Sequence, residues 1–199
     1  MDTKECLIRV SIHSILITLI LVLNGCAMTY RNFPMEDVDS KQAKEFDHMT
    51  YMIRGGSMFH GATNLNNVFR FQSPFRSVEK TNEKPQKGLF VSVKVETIAP
   101  SVPAIIFGYI SVSTLTLFPF WSTKDGYYVT YEVFMNGERQ KSFTYEIRRK
   151  AFVWIVMVPF SWVNAFTYSE KEAFQATAQR FFKEAAPIFR NWVAATGKK

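Results

Sequence analysis

Apolar and polar residues alternate most regularly between Leu89 and Thr97. Leu89, Val91, Val93 and Val95 fall on one side, Ser92, Lys94 and Glu96 on the other, with Phe90 the exception. A period of two predicts a strand with one buried and one wet face, the pattern of an antiparallel or edge strand. A hairpin follows. Tyr127, Val129, Tyr131 and Val133 share one face of its first strand; Phe143, Tyr145 and Ile147 share one face of its second. Both sets reach the same side only if odd-numbered residues oppose odd-numbered ones. A two-residue Asn136-Gly137 loop pairs odd with even, so the parity predicts a bulged three-residue loop, Met135-Asn136-Gly137. That loop sets residue 134 opposite 138, Val129 opposite Phe143, Tyr127 opposite Tyr145, Thr130 opposite Ser142 and Glu132 opposite Gln140.

The period changes elsewhere. Ser169-Glu170-Lys171-Glu172 has the spacing of a capping box. Beyond it Phe174, Ala178, Phe181, Ala185, Ile188, Phe189 and Trp192 form the stripe of an amphipathic helix. Lys171, Gln175, Arg180, Lys183 and Glu184 take its wet side, and Pro187 is expected to kink or split it. Leu65, Val68 and Phe69 predict a short helix over 64–71, stopped by Ser73-Pro74. Thr50 to Arg54 reads as a first strand closed by Gly55-Gly56, and Glu79 to Lys87 as a charged turn leading to Gly88.

Two stretches carry no Asp, Glu, Lys or Arg: Thr97 to Thr123 and Ala151 to Ser169. The first holds Pro100, Pro103 and Pro119 and many hydroxyls; the second holds Trp154, Trp162 and a central Pro159. Prolines and hydroxyls weaken a continuous membrane span. Packing on the sheet as core is the expectation, with interfacial insertion and true spans as alternatives that periodicity does not separate.

At the N-terminus Lys4 and Arg9 precede an apolar run from Val10 to Leu23, interrupted by Ser11, His13, Ser14 and Thr18. That run is shorter than the roughly 20 residues a spanning helix needs and fits a signal peptide. It ends in Leu23-Asn24-Gly25-Cys26, which resembles the lipobox of bacterial lipoproteins, with Asn24 departing from the small or β-branched residue usual at its place. The resemblance implies cleavage between Gly25 and Cys26 and an acyl anchor, palmitate among its chains, on Cys26. It divides the chain into a signal peptide (1–25), a lipidated N-terminus with a flexible tether (26–49) and one domain (50–199). Ala27 stands where a retention Asp would stand, which implies delivery to the outer rather than the inner membrane.

Composition narrows the chemistry. Asp2, Lys4, Glu5 and Arg9 cancel, so the net +7 belongs to residues 26–199. That balance favours acidic surfaces such as anionic lipid, with nucleic acid set aside for an exported chain. Cys6 falls in the segment to be removed, so no disulfide pair remains beside Cys26. HExxH, CxxC, GK[ST] and GxGxxG are all missing from the sequence. Gly55-Gly56-Ser57-Met58-Phe59 begins like a nucleophile elbow, but Phe59 stands where the last Gly belongs. His48 and His60 are twelve apart, without metal-ligand spacing. No catalytic residue, metal or cofactor is expected. Arg148, Arg149 and Lys150, just before the Trp154 and Trp162 run, are the candidate membrane-surface contacts.

The element order predicts an α+β domain, an antiparallel sheet with helices packed on one face. Over about 50–196 that layout is similar to the small α+β domains of envelope lipoproteins and their transport-associated relatives. That layout says little about activity. The tether, the missing catalytic constellation and the apolar, aromatic segments point to a non-enzymatic interaction or structural module held on a membrane by Cys26, with another envelope protein as the expected partner. A lipid-handling or membrane-inserting protein is the alternative, with a cell-wall or lipid hydrolase more remote.

Overall fold

The computed structural model describes residues 26–30, 44–55 and 61–196. The signal-peptide expectation, the Gly25 side of the cleavage point, His60 and the Gly56-Ser57 segment lie outside the described residues. Strands β1 (Cys26–Tyr30), β2 (Phe46–Gly55), β3 (Phe75–Lys80), β4 (Leu89–Ile98), β5 (Phe120–Met135) and β6 (Glu138–Val153) form one sheet. Their order is β1-β6-β5-β4-β2-β3. Helices α1 (Gly61–Asn67), α2 (Val102–Ser113) and α3 (Glu170–Thr196) complete the fold, with a π turn at Val68–Gln72 and a 3₁₀ segment at Ile155–Phe166.

The class is α+β, but the sheet is mixed where the sequence pattern predicted an antiparallel one. β2 pairs in parallel with β3 on one side and β4 on the other. α1 and the π turn lie between β2 and β3 and furnish the crossover that a parallel pair requires. The second parallel pair is made by stagger. β3 lies along residues 46–51 of β2, β4 along residues 50–55, so the chain has only to step across β2 near Thr50-Tyr51. The Thr81 N–H donates to Tyr51 O (2.9 Å) before the step, and the Thr50 hydroxyl donates to Leu89 O (3.2 Å) after it. This crossing also explains the exception at Phe90. Met52, Phe90 and Phe134 form a small apolar cluster apart from the main core, and Lys84 of the crossing segment sits 4.0 Å from the Phe134 ring centroid.

Part of the segment expected to be a tether is folded. Cys26–Tyr30 is a strand, and β2 begins at Phe46, not Thr50. Alternate residues of β1 have no long apolar pattern to announce them; pairing with β6 supplies what local propensity lacks.

The main core lies between the sheet and α3. Leu89, Val91, Val93 and Val95 enter it as the alternation requires. Tyr131 stacks on Phe181 of α3 at 4.5 Å and 9°, and Phe69 stacks on Tyr51 at 4.9 Å. Such aromatic pairs add about 0.5–1.5 kcal/mol beyond the area they bury. Thr177 occupies a buried turn of α3, where its hydroxyl donates to Phe174 O (2.8 Å) and meets the Tyr131 hydroxyl (2.9 Å). The capping box is formed: the Ser169 N–H donates to Glu172 Oε2 (2.8 Å) and the Glu172 N–H to Ser169 Oγ (3.3 Å). α3 runs unbroken through Pro187, which is exposed, while Ala185 and Phe189 on either side are buried. The carbonyl that Pro187 cannot serve belongs to exposed Lys183.

The hairpin keeps the expected parity by another route. Asn136 (φ 49°) and Gly137 (φ 82°) form a two-residue turn that sets Met135 opposite Glu138, not a three-residue loop. Asn-Gly takes two consecutive positive φ angles at little cost. The register then steps over Gln140, so Val133 meets Lys141, Val129 meets Tyr145 and Tyr127 meets Ile147. A β-bulge restores the odd-to-odd pairing that the turn alone would split. The pairs are therefore offset by two from those the loop argument gave.

Candidate functional site

At one end of the sheet the described part of the chain gathers nearly all of its uncharged sequence. Cys26 of β1 and Phe120 of β5 both pair with Val153 of β6, so three strands share one terminal row. α2 packs on the start of β5: Phe107 stacks on Trp121 at 5.7 Å, and Gly108 lies close under the Phe120 ring. The second uncharged run joins the first through two bonds. The Trp154 indole N–H donates to Leu117 O (3.1 Å), and the Ile155 N–H donates to Thr116 O (3.0 Å).

The expectation that these runs fill the core is overturned here. In α2 only Ala104 and Ser111 are buried, whereas Val102, Ile106, Tyr109 and Val112 are exposed. Leu115 (81%) and Phe166 (80%) are the most exposed large apolar side chains described, and Leu117, Phe118, Trp121 and Trp162 also face outward. α3 already covers the core face, so no apolar interior is left for α2 to enter. No helix among the described residues is long and apolar enough to cross a membrane.

α2 is closed without glycine. Leu115 (φ 50°) and Thr116 (φ 64°) are both left-handed, and the Thr116 N–H donates back to Ser111 O (2.6 Å). Each such residue costs of order 1–3 kcal/mol, more readily met in a turn that surrounding structure fixes. Here the bonds from Trp154 and Ile155 fix it, and it presents Leu115 and Leu117 outward.

The 3₁₀ segment staples the free edge of β1. The Met28 N–H donates to Asn164 Oδ1 (3.1 Å) and the Tyr30 N–H to Tyr168 O (2.9 Å). An open strand edge is thereby capped. Beneath β1 lies a polar network. Asp125, 2% exposed, accepts from the Ser122 hydroxyl and the Arg149 guanidinium. The Tyr30 hydroxyl donates to Glu170 Oε2 (3.2 Å) at the start of α3. Burial, with the Glu170 carboxylate adding to it, pushes the Tyr30 hydroxyl up to about 12. Burial works against the Arg149 charge, and Asp125 more than offsets it, so the guanidinium is held more firmly protonated.

The three cations named from the sequence therefore part company. Arg149 turns onto Asp125, because alternation puts it on the same side as core Ile147, and its side chain stays 35% exposed. Arg148 is exposed and paired with Glu146 (2.8 Å), and Lys150 is exposed opposite Thr29. Trp154 is half-buried, and Trp162 is exposed, edge-on to Phe166 at 6.0 Å. His48 lies on β2, far along the sheet, its Nδ1 3.2 Å from Ser77 Oγ. No group of three His, Cys, Asp or Glu able to hold a metal occurs among the described residues. The Asp125–Arg149 pair was not singled out from the sequence. Yet extending the alternation back from Tyr127 and on from Ile147 places both residues on the core face, where charges must pair.

These features define an uncharged surface with a stapled edge. No protein family matches the chain, and no curated protein does. Among solved structures it is similar to the rare lipoprotein B of Shewanella oneidensis, with 13% identity over 72% of this chain and 98% of that one, TM-score 0.37. An uncharacterised lipoprotein B of Nitrosomonas europaea gives 11% identity over 83% and 97%, TM-score 0.40. A putative neuraminyllactose-binding hemagglutinin homolog from Helicobacter pylori gives 10% over 85% and 98%, TM-score 0.38.

Proposed function

We propose that this chain is a bacterial envelope lipoprotein that works without chemistry of its own, as an interaction module held at a membrane by an acylated Cys26. The observation that carries the reading is the register Cys26↔Val153, which puts the lipobox-like cysteine at the head of a paired strand. The anchor is then set directly on the folded body with no slack between them. Tyr30, bonded to Glu170, and the staples from Asn164 and Tyr168 keep β1 in place under load. The opposite end of the molecule carries the Asn136-Gly137 turn and the charged crossing at 81–88, and it is the end left to meet another envelope protein. Delivery to the outer membrane is part of the proposal and rests on Ala27.

The test is Cys26→Ser in the full chain. An unprocessed precursor lacking acyl label, with loss of the envelope partner recovered by cross-linking to the wild type, is expected. Normal processing of the variant would defeat the reading.

A further inference from the structure

We propose that the uncharged end built from α2, residues 114–121 and the 3₁₀ segment seats in the interfacial zone of a phospholipid bilayer, as a second membrane contact beside the acyl chain. The proposal deepens the lipoprotein reading and takes from it only the orientation, since Cys26 shares its row with Val153 and Phe120 at this same end.

The shape of α2 selects the occupant. At 3.6 residues per turn, its exposed side chains run from Val112 through Val102, Ile106 and Ile110 to Phe107, an arc of about 220°. Its buried residues, Ala104 and Ser111, lie together on the remaining side. A helix apolar nearly all round belongs in an apolar surrounding. A second protein, or a second copy of this chain, covers one side of such a helix; a fluid layer of acyl chains can follow the whole exposed arc. Twelve residues give α2 a length of about 18 Å, too short to cross a core of about 30 Å, so it lies in the boundary layer.

The aromatic residues of this end agree. Exposed Trp121, Trp162, Tyr109 and Tyr168 have the apolar body and polar tip that favour the headgroup level. Just behind it Lys124 and Lys150 are exposed, while Arg148 and Arg149 are taken up by Glu146 and Asp125, which leaves a net local charge of +2. Glu96, the acid preceding the first run, is held by Lys94. Anionic phosphates are therefore met by cations whose neighbouring acids are already paired.

The experiment uses the full, processed chain in vesicles of phosphatidylethanolamine and phosphatidylglycerol, with or without brominated acyl chains as a contact quencher. One variant retains Trp162 alone and a second Trp192 alone, the others changed to Phe. The emission of Trp162 should fall at least about twofold in brominated vesicles, as expected for a side chain about 5–10 Å into the boundary layer, and that of Trp192 should not. Because both variants alter aromatic packing, Leu115→Glu with Phe166→Glu, at exposed positions, is tested in the wild-type background. It should keep the circular dichroism of the parent and lose most of the quenching. An acylated, vesicle-bound chain with unquenched Trp162 overturns the proposal. So does Trp162 shielded within a cross-linked dimer, which would make the surface an interface between copies. The intact mass separates the two readings: a chain without acyl mass on Cys26 removes the anchor, while the quenching still judges the surface.

Discussion

Arg149 lies opposite Asp125 across β5 and β6, its guanidinium closed on a carboxylate that is 2% exposed. Breaking such a pair from one side strands a buried charge. Arg149→Leu is expected to cost about 3–5 kcal/mol in urea unfolding. Asp125→Asn with Arg149→Leu should recover much of that loss, since neither partner remains charged. A double variant no more stable than the single one would show that the pair's hydrogen bonds, and not its charges, hold β5 to β6 there.

The bulge at Gln140 makes a second prediction. Deleting Gln140 leaves the Asn136-Gly137 turn intact and sets Lys141 directly after Arg139, so Val133 still meets Lys141 and Phe143, Tyr145 and Ile147 stay on the core face. The variant should keep the dispersed amide spectrum of a folded chain. Loss of that spectrum would mean that the bulge is needed for the twist of the strands and not only for their register.

Tyr131 and Thr177 share a buried hydrogen bond whose ends are not equivalent. In Tyr131→Phe, Thr177 still donates to Phe174 O, so the cost should be about 1 kcal/mol. Thr177→Val leaves the fully buried Tyr131 hydroxyl with no partner at that position and should cost about 1–3 kcal/mol. Thermal unfolding of the two variants measures the difference; equal losses would contradict the asymmetry.

Alkaline pH should unfold this protein through its tyrosines. Burial raises Tyr30 to about 12 and lifts Tyr131 and Tyr145 further, Tyr145 also through its bond to Glu184. A raised folded value means that the unfolded chain loses its protons first. The stabilisation is whole below the ordinary tyrosine pKa of about 10 and declines as pH climbs toward the folded values. Phenolate absorbance should appear together with loss of ellipticity above that point. At the other end of the scale, Glu184 is held below the usual carboxylate range by Arg180, so its contribution is present above about pH 4.3 and fades as acid is added.

Where the chain sets one side against the other, its sequence was readable. The β4 alternation, the odd-to-odd parity of the hairpin and the Ser169–Glu172 cap each depend on contacts a few residues away or on a single buried face. The Gln140 bulge was hidden because parity constrains a sum and not the way it is reached: a longer loop and a short loop with a bulge satisfy it equally. The parallel neighbours of β2 were hidden too, since stagger along a strand leaves no mark in local composition. The uncharged runs misled for a simpler reason. Apolar sequence records a preference for leaving water and does not name the surroundings that satisfy it. Val102, Leu115 and Phe166 are apolar in sequence and exposed in the fold, so the proposed contact surface lies where the sequence-based expectation failed.

The β5–β6 hairpin, with sixteen residues in each strand, reaches from the Cys26 row to the Asn136-Gly137 turn, with two register shifts along it. At about 3.3 Å per residue that is a span of up to about 50 Å. A protein fastened at one end of such a ribbon has a ruler built into it. With Cys26 as the proposed anchor, the far tip would be carried at a fixed height above the anchoring surface, and a partner would be met only if its own contact lay at that height.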